Sequence, residues 1–170
     1  FPKTAAYIDP EAINHYSPFI RQYSIEEISN LISGSFLLPV VVKRNSGTQG
    51  QNVFICSNIN EVIRALQAIY SKQQIEYDHV ALVQQYVKPA AEYRIIILNS
   101  QFQFAYHKPH HRIDFGSTES AALITDTFLI DKMNALIGKL AAYFPLTYAG
   151  LDVIEDIDGR LWLLEINGSP

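Results

Sequence analysis

Residues 150–167 constrain this chain most. Gly150-Leu151-Asp152-Val153-Ile154 and Leu163-Leu164-Glu165-Ile166-Asn167 are two apolar runs separated by an Asp156-Ile157-Asp158-Gly159 turn signal, a combination that predicts a β-hairpin. Side chains alternate faces along a strand, so Glu165 and Asn167 point one way and Ile166 points into the packing. Folding back through the turn can bring Asp152 alongside that pair. Two carboxylates and an amide oxygen with open positions between them suit Mg²⁺ or Mn²⁺, hard ions that take few protein ligands and complete their shell with water and phosphate oxygens. Removing either carboxylate is then expected to relieve repulsion when no ion is bound. A buried hairpin with an incidental polar rim would carry the same pattern.

Two further segments bear on that choice. In Leu38-Pro39-Val40-Val41-Val42-Lys43, an apolar strand ends in a cation, and Asn45-Ser46-Gly47-Thr48-Gln49-Gly50 then turns the chain toward a second strand. Backbone N–H groups in such a loop can cradle an anion, glycine permits close approach, and Ser46 and Thr48 add hydroxyl donors. The Gly-Lys-Ser/Thr ending of a P-loop is missing, so that motif is excluded. A plain hairpin turn with a snorkelling lysine is the other reading. In Val80-Ala81-Leu82-Val83-Gln84-Gln85-Tyr86-Val87, a buried strand runs out before Pro89, and a new strand opens with Glu92 and Arg94 on one face.

These three segments, in this order, resemble the ATP-grasp superfamily across nearly the whole chain. The similarity is greatest to the D-alanine–D-alanine ligase and ribosomal-protein glutamate-ligase (RimK-like) branches, where a Pro-x-Thr segment like Pro2-Lys3-Thr4 also precedes the ATP-binding lobe. The resemblance implies roles residue by residue. Lys43 matches a lysine on the ATP phosphates, and residues 45–50 match the loop that closes over them, which includes Ser46, Gly47, Thr48 and Gly50. Gln85, Tyr86 and Val87 match the hinge that reads the adenine edge, with Gln84 where many members have Glu. Glu92 matches the acid on the ribose hydroxyls. Asp152, Glu165 and Asn167 match the metal ligands, with Glu165 expected to bridge two ions.

The departures are informative too. D-alanine–D-alanine ligases carry an arginine two residues before the metal aspartate, whereas this chain has Gly150 there. The run Ala149-Gly150-Leu151-Asp152 looks more like the glutamate-ligase branch, although that branch's basic loop is replaced by Lys108-Pro109-His110-His111-Arg112. Lys108 and Arg112, with Arg94, are the candidates for contact with phosphate or acyl-phosphate. For Arg94, pairing with a carboxylate is the competing role. A zinc site at the histidines of this loop lacks helical spacing and accompanying thiolates, and a solvated loop without function also fits. The family's first ATP lysine and its N-terminal substrate domain would lie upstream of Phe1.

The expected fold is therefore α+β, an ATP-grasp of two lobes with antiparallel sheets and flanking helices clasping a nucleotide, residues 1–87 forming one lobe and 88–170 the other. Helices are predicted over residues 25–33, 59–71 and 126–143, the first two opened by Ser24-Ile25-Glu26-Glu27 and Asn58-Ile59-Asn60-Glu61. Strands are predicted at 39–44, 51–56, 79–87, 92–99, 101–107, 147–155 and 160–167. The resemblance implies an ADP-forming, ATP- and Mg²⁺-dependent carbon–nitrogen ligase that joins an amino-acid or peptide carboxylate to an amine through an acyl-phosphate, with this stretch alone inactive. A nucleotide-binding regulatory module without turnover, or a small-molecule kinase of the same fold, are the competing functions.

A net charge of −4 gives a nucleic-acid partner no electrostatic support. No apolar run reaches the ~20 residues of a membrane helix, and with one cysteine, Cys56, no internal disulfide forms. A cytoplasmic setting is the expectation, with Cys56 a buried structural thiol.

Overall fold

A computed structural model describes residues 1–12, 21, 23–46, 53–73, 77–108, 122–143 and 145–168. These fall into two compact units, Pro2–Tyr86 and Val87–Pro170, the second grouped with Phe1. Three helices and two four-stranded antiparallel sheets make up the described regular structure, so the α+β class and the antiparallel sheets agree with expectation.

In the first unit, β1 (Thr4–Ile8), β2 (Val40–Arg44), β3 (Val53–Cys56) and β4 (Val80–Gln85) lie in the order β1-β4-β2-β3. The helices α1 (Ile25–Ser35) and α2 (Ile59–Ile69) cover one face. Period-2 alternation turns Val40 and Val42 of β2, and Ala81 and Val83 of β4, toward those helices, where they meet Ile28, Ile32, Val62, Leu66 and Ile69. All of these side chains are buried, each aliphatic one contributing about 2 kcal/mol. Both helices start where the sequence predicts. Ser24 accepts from the Glu27 N–H while the Glu27 carboxylate accepts from the Ser24 N–H, and Asn58 accepts from the Glu61 N–H, satisfying donors that a helix end otherwise leaves open. Cys56 is buried in this core, and burial, reinforced by Glu61, raises its thiol pKa against the opposing pull of Arg64.

Strand β1 lies outside the predicted strands. Its Thr-Ala-Ala-Tyr-Ile sequence has modest strand propensity, and its existence depends on pairing with β4, Thr4 opposite Gln84 through Ile8 opposite Val80.

In the second unit, β5 (Ala91–Leu98), β6 (Gln101–His107), β7 (Tyr148–Glu155) and β8 (Leu161–Asn167) lie in the order β6-β5-β7-β8. Helix α3 (Thr127–Ala141) packs Met133, Ile137 and Leu140 against Tyr93, Ile95, Ile97, Leu151, Val153 and Leu163. A polar tie joins helix to sheet: the Glu155 carboxylate accepts from Lys132 Nζ at 2.9 Å and from the Tyr93 hydroxyl at 2.8 Å. Asn99 and Ser100, both at positive φ, form the tight β5–β6 turn. Among the described residues, no helix is long and apolar enough to cross a membrane.

Candidate functional site

Because Tyr93, Ile95, Leu151 and Val153 face α3, the residues between them face the other way. That helix-free face carries a row of paired positions across the second sheet: Tyr106 of β6 opposite Arg94 of β5, Arg94 opposite Asp152 of β7, and Asp152 opposite Glu165 of β8. Asn167 follows two residues later on β8, opposite Gly150. The three proposed oxygen donors thus share one face and two adjacent strands.

That alignment depends on an irregularity. The β7–β8 register shifts between Asp152 and Val153, with Val153 opposite Leu163 but Asp152 opposite Glu165, so Leu164 is the extra residue of a β-bulge. In strict alternation from Leu163, which packs in the core, Leu164 would stand opposite Asp152 and Glu165 would turn toward α3. The bulge absorbs Leu164 and returns Glu165 to the face of Asp152. The hairpin is closed by Asp156, whose Oδ1 accepts from the Asp158 and Arg160 N–H groups and whose Oδ2 accepts from Trp162 Nε1. Gly159 takes φ +73° there, a conformation that favours glycine.

Asp152 is nearly buried, 7% exposed, and is held by two cations. Arg94 grips it with a fork, Nε to Oδ1 at 2.5 Å and Nη2 to Oδ2 at 3.0 Å, the bidentate geometry that makes such pairs strong. Lys108 Nζ donates to Oδ2 at 2.9 Å, and the Lys108 N–H is tied to the Glu92 carbonyl at 2.9 Å. Burial works against the Arg94 charge, but the hydrogen bonds and charge of Asp152, with Tyr106 and Glu165, outweigh it and raise the guanidinium pKa. The repulsion expected around Asp152 is therefore offset, and removing its carboxylate would strand two cations. Glu165 is solvent-exposed. Among the described residues no three or more His, Cys, Asp and Glu side chains cluster to hold a metal, but Asp152, Glu165 and Asn167 offer two carboxylates and an amide. Their chemistry and shared face fit a hard divalent ion.

In the first unit, Lys43 lies opposite Leu82 and Val53 and, alternating with the buried Val42, projects from the face that α1 and α2 leave uncovered. The strand ends at Arg44, and Ser46 follows with its N–H and hydroxyl both donating to Asp78 Oδ2 at 2.7 Å. No motif in the sequence singles out Asp78; its signal is an aspartate two residues before a strand, whose Oδ1 accepts from the Val80 N–H at 3.0 Å. Gln84 is buried and donates from Nε2 to the Thr4 hydroxyl at 3.0 Å. Gln85 binds the backbone of Leu37 through both side-chain atoms, accepting from its N–H at 3.3 Å and donating to its carbonyl at 2.8 Å. The Tyr86 N–H reaches the Pro39 carbonyl at 3.4 Å. Gln85 and Tyr86 are the last two residues of the first unit, and Val87 is the first of the second. Glu92 sits on β5 opposite Ile154, on the face of Arg94 and Asp152. Gly47, Thr48, Gly50 and Arg112 lie outside the described residues, as do His110 and His111. His107 is described, and its ring packs beside Tyr93 with centroids 4.9 Å apart.

The fold has a solved counterpart. The D-alanine–D-alanine ligase of Bacillus anthracis, solved in complex with ATP, matches all of this chain and 48% of its own, with a TM-score of 0.64 and 21% identity. This likeness shows a shared fold. Residues 13–170 match the RimK-like ATP-grasp domain, and the chain belongs to that family. It is similar to a probable alpha-L-glutamate ligase of Pseudomonas fluorescens strain SBW25, with 30% identity over 87% of this chain and 48% of the relative. A probable alpha-L-glutamate ligase of Aeromonas salmonicida is 26% identical over 87% of this chain and 49% of its own length. An uncharacterized protein of Mycoplasma genitalium, MG012, is 27% identical over 81% and 46%. The chain spans about half the length of these curated relatives.

Proposed function

We propose that this chain is the nucleotide-binding part of an ATP- and Mg²⁺-dependent carboxylate–amine ligase, joining an amino-acid or peptide carboxylate to an amino group. The observation that carries this reading is the row Arg94–Asp152–Glu165, extended by Asn167, on the open face of the second sheet. Membership of the RimK-like family supports it, as does the kinship with probable glutamate ligases.

In this reading a substrate carboxylate oxygen attacks the γ-phosphorus of ATP, the bond to the β–γ bridging oxygen breaks, and ADP leaves. An amine nitrogen then attacks the acyl carbon, the carbon–oxygen bond to phosphate breaks, and the nitrogen loses a proton. No covalent bond to the enzyme is needed, so the work of the protein is positioning and charge neutralisation. Asp152, Glu165 and Asn167 are the residues that would hold Mg²⁺, which when bound neutralises phosphate charge. Arg94 and Lys108 fix the Asp152 carboxylate and keep positive charge beside it, and Arg112 is assigned to the acyl-phosphate. Lys43 contacts the phosphates, together with Gly47, Thr48 and Gly50, while Gln84 to Val87 take the adenine and Glu92 the ribose.

The test is ligand-selective. Lys43→Ala is expected to weaken ATP by about tenfold or more, the loss of a charge-assisted contact, while leaving adenosine within about twofold. Calorimetric titration with both ligands measures this, and equal losses for the two would show that Lys43 supports structure rather than phosphate.

A further inference from the structure

We propose that Asp78 is a positioning residue for phosphate binding, its buried carboxylate holding the end of β2 that carries Lys43 and the start of the segment after it. The inference rests on the assignment of Lys43 to the ATP phosphates. Asp78 belongs neither to β2 nor to β4, yet it joins them. One carboxylate oxygen takes the Ser46 N–H and hydroxyl, both at 2.7 Å, and the other takes the Val80 N–H at 3.0 Å. Its own N–H donates to the Ile69 carbonyl at 3.2 Å, which ties it to the last residue of α2. The Asn45 N–H donates to the Val80 carbonyl at 3.0 Å and continues the β2–β4 ladder past Arg44. A residue 9% exposed therefore fixes Ser46 through its carboxylate, two residues past the end of the strand that carries Lys43.

The charge state suits this role. Burial pushes the Asp78 pKa up, but the hydrogen bonds from the Ser46 backbone and hydroxyl and from the Val80 backbone pull it the other way, and the net displacement is downward. Asp78 is thus ionised at neutral pH, and an ionised carboxylate is acceptor-only, matching three donors without a competing proton. There is a consequence for Ser46 as well. Its hydroxyl proton is directed at Asp78, so Ser46 acts as an anchor for the chain that follows Lys43. A backbone held at this point meets phosphate with less ordering still to be done, which is how preorganisation raises affinity.

The experiment titrates the full chain with Mg-ATP and with adenosine, using Asp78→Asn, Ser46→Ala, Ser46→Thr and Lys43→Ala. Asp78→Asn is expected to weaken ATP about tenfold while adenosine stays within about twofold, since one ionic acceptor of two donors is lost. Ser46→Ala should lose about threefold for ATP only, and Ser46→Thr, which keeps the hydroxyl, should restore wild-type binding. A purely structural role would lower both ligands together in step with melting temperature. That outcome, or no ATP-selective loss in either Asp78→Asn or Ser46→Ala while Lys43→Ala shows its own, overturns the proposal. Loss of selectivity in Lys43→Ala itself overturns the phosphate reading, and the Asp78 role falls with it. Should Asp78→Asn not fold, the exposed Ser46 variants decide the matter.

Discussion

At the residue scale, Asp152 and Glu165 are chemically alike and energetically different. Asp152→Ala leaves Arg94 and Lys108 facing each other at a nearly buried position, so it is expected to cost about 1–3 kcal/mol, less than for a fully buried pair because both cations retain some solvent. Glu165→Ala should change stability by no more than about 0.5 kcal/mol. Both variants should lose Mg²⁺-dependent nucleotide binding. Chemical denaturation paired with calorimetry separates the effects, and equal stability losses would contradict the two-cation arrangement. Glu155 governs a pH effect: burial raises its pKa, while hydrogen bonds from Lys132 and Tyr93 and the Lys132 charge win and hold it below its ordinary 4.5. Its contribution is therefore complete above the unfolded-state value and is lost as pH falls through the depressed folded one. Glu155→Gln should be less stable at neutral pH and show a shallower acid dependence of stability below about pH 4.5, measured by urea midpoints across pH. The proposed oxygen donors at 152, 165 and 167 can be picked out from residue type and spacing. Of their electrostatic partners, Arg94 is flagged in the sequence as pairing with some carboxylate, but Lys108 is not, because it reaches Asp152 across 44 positions of sequence and no local pattern encodes that distance.

At the scale of elements, the β7–β8 hairpin shows where periodicity succeeds and where it stops. Alternation correctly separates Ile166 from Glu165 and Asn167. Carried back to Leu163, the same rule would bury Glu165, and only the bulge at Leu164 reconciles the two ends of the strand. Adjacent leucines are the sole hint in the sequence, and they equally suit a strand buried on both faces. The helices are easier to read because capping chemistry is local: Ser24 with Glu27, and Asn58 with Glu61, act within one turn. Strand β1 escapes such reading for the opposite reason, since its partner is β4. The hairpin turn offers a clean measurement. Gly159→Ala would meet no close atom, its nearest neighbours being Glu155 Oε1 and Lys132 Nζ at 3.5 Å, so its cost is backbone strain of about 1–2 kcal/mol from the left-handed conformation. Thermal melting checks this. An unchanged melting temperature would mean that the turn relaxes to another form.

At the scale of the whole molecule, two separate hydrophobic cores stand out. One is gathered by α1 and α2, the other by α3, and among the described residues no buried side chain belongs to both. Cores that share no residue can melt separately, so calorimetry of the full chain is expected to give a van't Hoff enthalpy smaller than the calorimetric one. Coincident enthalpies would show the two units unfolding as one. Strand β1 has one more consequence, and it concerns time. Thr4 meets Gln84 across 80 positions, so during synthesis β1 leaves the ribosome and must wait until β4 has emerged before it finds its neighbour. Until then its own backbone groups stay unpaired, and once β4 joins β2 the sheet presents an open edge for β1 to fill. Of the strands in the Pro2–Tyr86 sheet, β1 is thus the first made and cannot be seated before the last one made, β4.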